Sequence, residues 1–307
     1  MSTTSLEMPT KASKPTSLPF PKISVEVVRR VATSPNGVLA IVVTGLLAVV
    51  FWGYLRDVTH AWFKTESYIQ HGVFVPLASL YLGWLTWKNN REKMALRPTF
   101  WPALILLPMA AAAALLVRAG LVTLDGGLLM GCIGCVIWMA MGGKWLIRMI
   151  PAIGFLVFGM TFWTEYMDQW TLPAQQVSGW FAFQLLQVVK MHPVSSPVDP
   201  SLITLPHYEM TVGAACSGLK LTLAVLTAST FIALVGKLGW WKNMILLAAV
   251  LPLAMLNNSL RIALVGVAGE LKGREAGAWM HDYGAYGVML IAFWLLYRLA
   301  VSLGWKI

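Results

Sequence analysis

Three side chains in the second half of the chain have types suited to nucleophilic chemistry. Cys216 lies in "TVGAACSGLK", Arg261 in "LNNSLRIALV" and His281 in "MHDYGAYGVML". A thiol becomes an effective nucleophile when a neighbouring cation favours the thiolate, and a histidine can accept the thiol proton and return it to a leaving amine. An arginine can hold the oxyanion of a tetrahedral intermediate. Together these residue types could perform acyl transfer through a cysteine. Taken singly, Cys216 could instead be a small buried hydrophobe, and Arg261 could be an interfacial anchor.

Nearby residues could support the same chemistry. Asn258 lies three residues before Arg261 and therefore on the same helix face, where it could orient the arginine or a substrate amide. Gly218 and the backbone amides that follow Cys216 would let a peptide approach closely and would offer further donors. Lys220 is four residues after Cys216 and could supply the cation in place of Arg261. The sequence leaves that choice open.

The elements that must position these residues belong to a membrane protein. The chain is 58% apolar and 12% charged, with a mean hydropathy of +0.68, whereas soluble domains carry about 25% charged residues. A bilayer requires roughly 20 apolar residues per helix. Eight runs approach that length, at 38 to 55, 73 to 87, 101 to 118, 121 to 141, 145 to 163, 219 to 236, 243 to 265 and 284 to 301. A ninth stretch, 173 to 190, carries four glutamines and either spans or lies in the interface. We therefore predict an all-α bundle of about eight transmembrane helices.

Charge distribution predicts the orientation. Residues 1 to 37 are rich in Ser, Thr, Pro and Lys, and we expect a disordered cytoplasmic tail there, followed by a single transmembrane domain from 38 to 307. If 173 to 190 does not cross, 15 of the 23 lysines and arginines fall in the inner segments, in agreement with the positive-inside rule. Both termini are then inside, and residues 164 to 215 form one long outer loop. The net charge of +10 follows membrane topology and does not indicate nucleic-acid binding.

Helix length brings the three reactive residues to one depth. Counted from the nearest inner cations at about 1.5 Å per residue, Cys216, Arg261 and His281 lie about 32, 28 and 26 Å along their helices. These lengths approach the outer boundary of a hydrocarbon core about 30 Å thick. The depth of the three residues leaves open whether their helices are neighbours. His281, which is followed by Asp282, could also form a solvated loop pair with it. A transporter or channel that uses Arg261 and His281 in an ion pathway remains the alternative function.

Several blocks of the sequence resemble a known family. In order and spacing, "AACSGLK", "NSLRIALV" and "HDYGAYG" resemble three blocks of the exosortase and archaeosortase family of membrane transpeptidases. The segment "SYIQHGVFVPLASLYLGW" resembles the early His-Gly block of that family. "MHPVSSPV" resembles its Gly-x-Pro-Val stretch, with Met191 and His192 in place of the usual small residue. The resemblance covers roughly residues 40 to 300.

The resemblance implies a cysteine-type peptidase or transpeptidase. Cys216 would be the nucleophile, with Arg261 and His281 as its catalytic partners. The supporting residues that lie in the matching blocks are Ser217, Gly218, Asn258 and Asp282. Such an enzyme would cleave the C-terminal sorting signal of exported proteins through a thioester and transfer them to a cell-envelope acceptor, an amine or a glycolipid. Whether water or an amine resolves the thioester is left open.

The resemblance also implies partners and a location. Substrates of the family carry a short C-terminal motif, a transmembrane helix and a basic tail. The expected location is the inner (cytoplasmic) membrane, with the active site facing the periplasm or exterior. A noncatalytic scaffold that binds envelope proteins through the outer loop is a third interpretation.

The remaining polar residues predict no cofactor and no metal site. Cys132 and Cys135 lie in an apolar stretch without His or Asp nearby, which favours packing over metal binding. Four residues of the outer loop have a spacing that fits no metal-ligand template, namely His192, Asp199, His207 and Glu209. A loop role is expected for the polar residues between the first two spans, namely His60, Glu66 and His71. The proline-punctuated stretch 192 to 206 is expected to be extended.

Overall fold

The computed structural model describes residues 35 to 64, 67 to 119, 122 to 196, 201 to 236 and 238 to 305. The tail predicted to be disordered lies outside the described residues up to position 34. Residues 35 to 37, the last three of the predicted tail, already belong to the first helix, which begins at Pro35. The first apolar run is thus helical from a point three residues earlier than its hydropathy indicates.

Helices dominate because an apolar chain in lipid must satisfy its backbone groups internally. The first half contains α1 (Pro35–Val50), α2 (Trp52–Phe63), α3 (Val75–Asn90), α4 (Ala103–Ala119), α5 (Val122–Met141) and α6 (Gly143–Phe155). The second half contains α7 (Phe162–Asp168), α8 (Thr171–Val188), α9 (Leu219–Val235), α10 (Trp240–Ala248), α11 (Val250–Lys272) and α12 (Arg274–Ser302). Short 3-10 turns lie at Gln70–Phe74, Leu156–Gly159 and Ala214–Cys216.

Helix length and composition support an all-α membrane bundle. Three helices are long and apolar enough to cross a membrane, at Leu124–Met141, Trp240–Lys272 and Arg274–Ser302. Two bent pairs raise the number to five if each is one span, namely Ile41–Val50 with Trp52–Phe63 and Gly143–Gly159 with Phe162–Asp168. The predicted fold class is confirmed, and the count of eight spans stays a prediction.

Two of the predicted spans are bent. The run from 38 to 55 turns by 70° between α1 and α2, and the run from 145 to 163 turns by 58° between α6 and α7. At the second bend, Met160 is extended, with φ −91° and ψ 152°. The indole Nε1 of Trp62 donates to the carbonyl of Gly159 at 2.8 Å. Side-chain donors therefore satisfy a carbonyl at the break, which hydropathy alone does not reveal.

The predicted outer loop, 164 to 215, contains regular structure. Its first part is the end of α7 followed by α8, which packs along α11 and corresponds to the stretch 173 to 190. Its second part is an antiparallel sheet of three short strands in the order β1 (Val194–Ser195), β2 (Leu202–Thr204) and β3 (Glu209–Thr211). The expected extended stretch is confirmed in β1 and β2, but the sheet itself was not predicted.

The sheet rests on α11 through an apolar cluster. In the register of β2 and β3, Ile203 lies opposite Met210, and both side chains are buried. The cluster joins the hairpin, α8, α11 and the cysteine turn through Ala182, Leu186, Ile203, Leu205, Met210, Val212, Cys216, Ile262, Ala263 and Val265. Helix α11 also packs along α12 and α9, so the elements that carry the candidate residues converge on one helix.

Candidate active site

Cys216 ends the short 3-10 turn that leads into α9. The turn is closed by the backbone N–H of Cys216, which donates to the carbonyl of Gly213 at 2.8 Å. Gly218 then adopts φ +81°, in the left-handed region that favours glycine, and α9 begins at Leu219. Cys216 is 8% exposed, so its thiol lies at the edge of the apolar cluster and not in open solvent.

Two side chains from other helices hold the turn through its backbone. Asn258 on α11 donates from Nδ2 to the carbonyl of Cys216 at 2.6 Å. Ser178 on α8 donates to the carbonyl of Ser217 at 3.2 Å. Ser217 is itself buried. A Cβ at Gly218 would come within 3.0 Å of the Asn258 side chain, so this glycine allows the close approach of α11.

These contacts differ from the expected ones. Asn258 was expected to orient Arg261 or a substrate amide, but its side chain donates a hydrogen bond to the nucleophile turn. Gly218 was expected to let a peptide approach, but it is buried against Asn258. Ser178 was missed because a serine in "QQVSGW" belongs to no motif. Its role depends on a contact with a residue 39 positions away.

His281 is the side chain that meets the thiol. Its Nε2 lies 3.5 Å from the Sγ of Cys216, although the two residues are 65 positions apart. Its Nδ1 lies 3.0 Å from Oδ1 of Asp282. When Nδ1 carries the ring proton and donates a hydrogen bond to Asp282, Nε2 is left free to accept a proton from the thiol. Both residues lie inside α12 and not in a loop, although their side chains are 43% and 68% exposed.

Arg261 approaches the site from α11. Its Nη2 donates to the backbone carbonyl of His281 at 3.4 Å. Its Nε is buried and has no hydrogen-bond partner among the described residues. Arg261 lines the same cavity as Cys216 and His281, whereas Lys220 is not among the residues that line it. An arginine that lines the same cavity as the thiol is suited to bind a developing oxyanion.

The site opens into a cavity of about 700 Å³. Its walls come from the hairpin, α11 and α12, and they include Leu202, His207, Tyr208, Glu209, Met210, Thr211, Val212, Cys216, Arg261, Ile262, Val265, Arg274, Gly277, Ala278, His281 and Asp282. The cavity is therefore bounded on one side by the thiol and its partners and on another by β3.

The hairpin is fixed over the corner between α11 and α12. The ring of Tyr208 occupies a slot at Gly269 and Gly277, where an added Cβ would come within 2.4 and 2.6 Å of its atoms. His207 donates its backbone N–H to Glu270 at 2.9 Å and pairs with the same carboxylate through Nδ1 at 2.7 Å. The outer-loop histidine considered as a metal ligand thus has a structural partner.

Metal binding finds no support in the described ranges. They contain no group of three or more His, Cys, Asp or Glu residues arranged to hold a metal ion. Asp199 lies outside the described residues. Cys132 and Cys135 are free and buried within an apolar cluster of α1, α2, α4 and α5.

His71 is more deeply embedded than its expected loop role. It lies in the 3-10 turn Gln70–Phe74, and its Nε2 is 3.0 Å from the hydroxyl of Thr227 on α9. Gly72 beside it is buried against the indole of Trp62. The turn thus links the first part of the bundle to the helix that follows the cysteine. Sequence alone could not reveal this because the partner is 156 positions away.

Comparison with known proteins identifies a family. A family model described as transmembrane exosortase (Exosortase_EpsH) matches residues 62 to 298, a range that includes all three reactive side chains. No curated protein and no solved structure matches the chain. The match covers most of the chain, and on that basis the protein belongs to the transmembrane exosortase family.

Proposed function

We propose that this exosortase is a membrane-embedded cysteine transpeptidase that cleaves the C-terminal sorting signal of exported proteins. Family membership supports a general role in protein sorting at a membrane. The observation that carries the finer proposal is the 3.5 Å approach of Cys216 Sγ, in the turn before α9, to His281 Nε2 on α12. A thiol and an imidazole at this distance have the geometry of an activated nucleophile and its base.

The first half of the proposed reaction forms a thioester. His281 Nε2 takes the thiol proton, and the thiolate of Cys216 attacks the scissile carbonyl. The negative charge moves to the carbonyl oxygen, where the guanidinium of Arg261 donates to it. The tetrahedral intermediate then collapses, His281 returns the proton to the leaving amine, and the carboxy-terminal fragment departs. The upstream part of the substrate is now held on Cys216 as an acyl group.

The second half releases the substrate to an acceptor. An amine attacks the thioester carbonyl and gives its proton to His281. The thiolate of Cys216 then leaves and takes that proton back from His281. An alcohol of a glycolipid, or water, would follow the same sequence of bond changes. Asp282 accepts a hydrogen bond from Nδ1 throughout and thereby keeps Nε2 available for both transfers.

The proposed enzyme works at the outer face of the inner membrane, with both termini in the cytoplasm. The excess of lysine and arginine in the inner segments supports this orientation. Its substrates are exported proteins with a short C-terminal motif, a transmembrane helix and a basic tail. A substrate anchored by its own helix presents the scissile bond near the boundary at which the cavity would open.

The proposal is tested by substrate processing in cells. The full chain is coexpressed with a tagged exported protein from the same genome that ends in a short motif, an apolar helix and an Arg-rich tip. We expect cleavage with the wild type and with Cys132→Ala, a matched control at a buried cysteine outside the site. We expect only precursor with Cys216→Ala and Cys216→Ser. Normal cleavage by Cys216→Ala would show that the thiol is not the nucleophile.

A further inference from the structure

Among the described residues, backbone hydrogen bonds to another strand occupy only one edge of β3. The N–H of Leu205 donates to the carbonyl of Tyr208 at 2.7 Å, just before β3. Just after it, the N–H of Val212 donates to the carbonyl of Ser201 at 2.8 Å. Because hydrogen-bonded pairs alternate along an antiparallel ladder, the next such pair between these two joins β2 and β3 at Met210.

The two residues on either side of Met210 therefore direct their backbone groups away from β2. These residues are Glu209 and Thr211, and their N–H and C=O groups form the outer edge of β3. β3 is the last strand in the order of the sheet, so no described strand pairs with that edge. An edge of this kind is a template for another extended chain.

This free edge borders the candidate active site. Glu209 and Thr211 line the same cavity as Cys216 and His281. Thr211 precedes Cys216 by only five residues, so the edge leads directly toward the thiol. A chain paired with β3 would continue the wall of the cavity up to the nucleophile.

The edge is also held in a fixed position. The buried side chain of Met210 packs against Gly266 of α11, where an added Cβ would come within 2.9 Å of its methyl group. Tyr208 is seated between Gly269 and Gly277. A strand anchored in this way loses little conformational freedom when it binds a second chain, which favours affinity.

We propose that the outer edge of β3 binds the substrate by strand addition, pairing with an extended segment immediately upstream of the bond that Cys216 attacks. This inference rests on the proposed function and specifies how the substrate is held. The ligand is polypeptide main chain in an extended conformation, and alternate side chains of the segment face the two sides of the added strand. Recognition of main chain by two residues of β3, Glu209 and Thr211, tolerates different sequences outside the shared motif.

Disulfide trapping tests the pairing directly. Thr211→Cys is combined with Cys216→Ala in the full chain, and single cysteines are introduced at successive positions upstream of the cleavage point of the coexpressed precursor. Strand addition puts the Cα atoms of paired residues about 5.5 Å apart, within the range of a disulfide. We expect a cross-link at the one precursor position that lies opposite Thr211 and none at the positions beside it, because the next residues on the same face are too far away for a disulfide. Val194→Cys, on the same face but at the opposite edge of the sheet, should give none.

The trapping result separates this inference from the proposed function. Cleavage of the same precursor by the wild-type chain tests the function independently. If the precursor is cleaved but cross-links are absent, or form equally at adjacent positions, strand addition is wrong and the peptidase assignment stands. If the precursor is not cleaved and no cross-link forms, both are overturned.

A proline substitution tests the contribution of one backbone donor. Thr211→Pro removes an N–H on the outer edge of β3 and leaves the ladder with β2 intact. The loss of one such hydrogen bond should lower kcat/KM for the precursor by about 3- to 10-fold. Ser195→Pro removes an outward N–H from the opposite edge, on β1, and should leave kcat/KM unchanged. Equal effects of the two prolines would contradict the proposal.

Discussion

Asn258 provides a sharp test of how the nucleophile turn is supported. Its Nδ2 donates to the carbonyl of Cys216 at 2.6 Å, and the residue is almost fully buried. Asn258→Ala would leave that carbonyl without its donor. A buried polar group that loses its partner costs about 1 to 3 kcal/mol, which is about 5- to 140-fold in an equilibrium at 1.4 kcal/mol per tenfold. We expect kcat/KM of Asn258→Ala for a precursor to be lower than that of the wild type by a factor in this range.

The neighbouring asparagine supplies the control. Asn257 is equally buried but donates to the carbonyl of Leu253, four residues earlier on its own helix. Asn257→Ala should therefore leave the turn and the processing rate close to wild type. Cleavage by purified full chain in lipid nanodiscs measures both variants, and alkylation of the thiol reports any loosening of the turn. Wild-type cleavage and alkylation rates in Asn258→Ala would refute this role of Asn258.

Three further variants address the reaction and the cavity. Arg261→Ala should lower kcat by about 100- to 1000-fold, the usual cost of removing an oxyanion donor, and Arg261→Lys should recover only part of this loss. Single-turnover cleavage measures the rates, and a wild-type kcat in Arg261→Ala would rule out the oxyanion role. Asp282→Asn should lower kcat by less than about tenfold, because the Asp282 side chain is 68% exposed and water screens its interaction with His281. A larger loss of kcat would mean that this pair is shielded from water in the working enzyme. Gly277→Ala should displace Tyr208 and raise KM more than it lowers kcat, because the hairpin wall of the cavity moves while the thiol stays in place. An unchanged KM in steady-state cleavage would contradict a role of the hairpin in substrate binding.

The sequence predicts a depth for the site, which stays a prediction, but it does not predict the lateral arrangement of the site. Depth depends on the number of residues between a charged boundary and the residue in question, which is a property of one helix. The contact between Cys216 and His281 depends on which helices are neighbours. That choice is made by close approaches such as the one between Asn258 and Gly218, and no periodic pattern in the sequence encodes them.

The outer region shows a different limit. The strands of the sheet have two or three residues each, too few for an alternating pattern to be recognised. The prolines of the stretch 192 to 206 indicated extended backbone, which is found in β1 and β2. The position of the hairpin follows from Tyr208 and its two glycine partners on α11 and α12, so it depends on contacts that only the folded chain brings together.

The central claim is that Cys216 carries the substrate as a thioester. The full chain in nanodiscs is mixed with the precursor, quenched in acid and analysed by intact mass and peptide mapping. We predict a covalent adduct on Cys216 with the mass of the upstream fragment, released by hydroxylamine and absent from Cys216→Ala. Cleavage that proceeds without an adduct on Cys216, or with an adduct on another residue, would contradict the account.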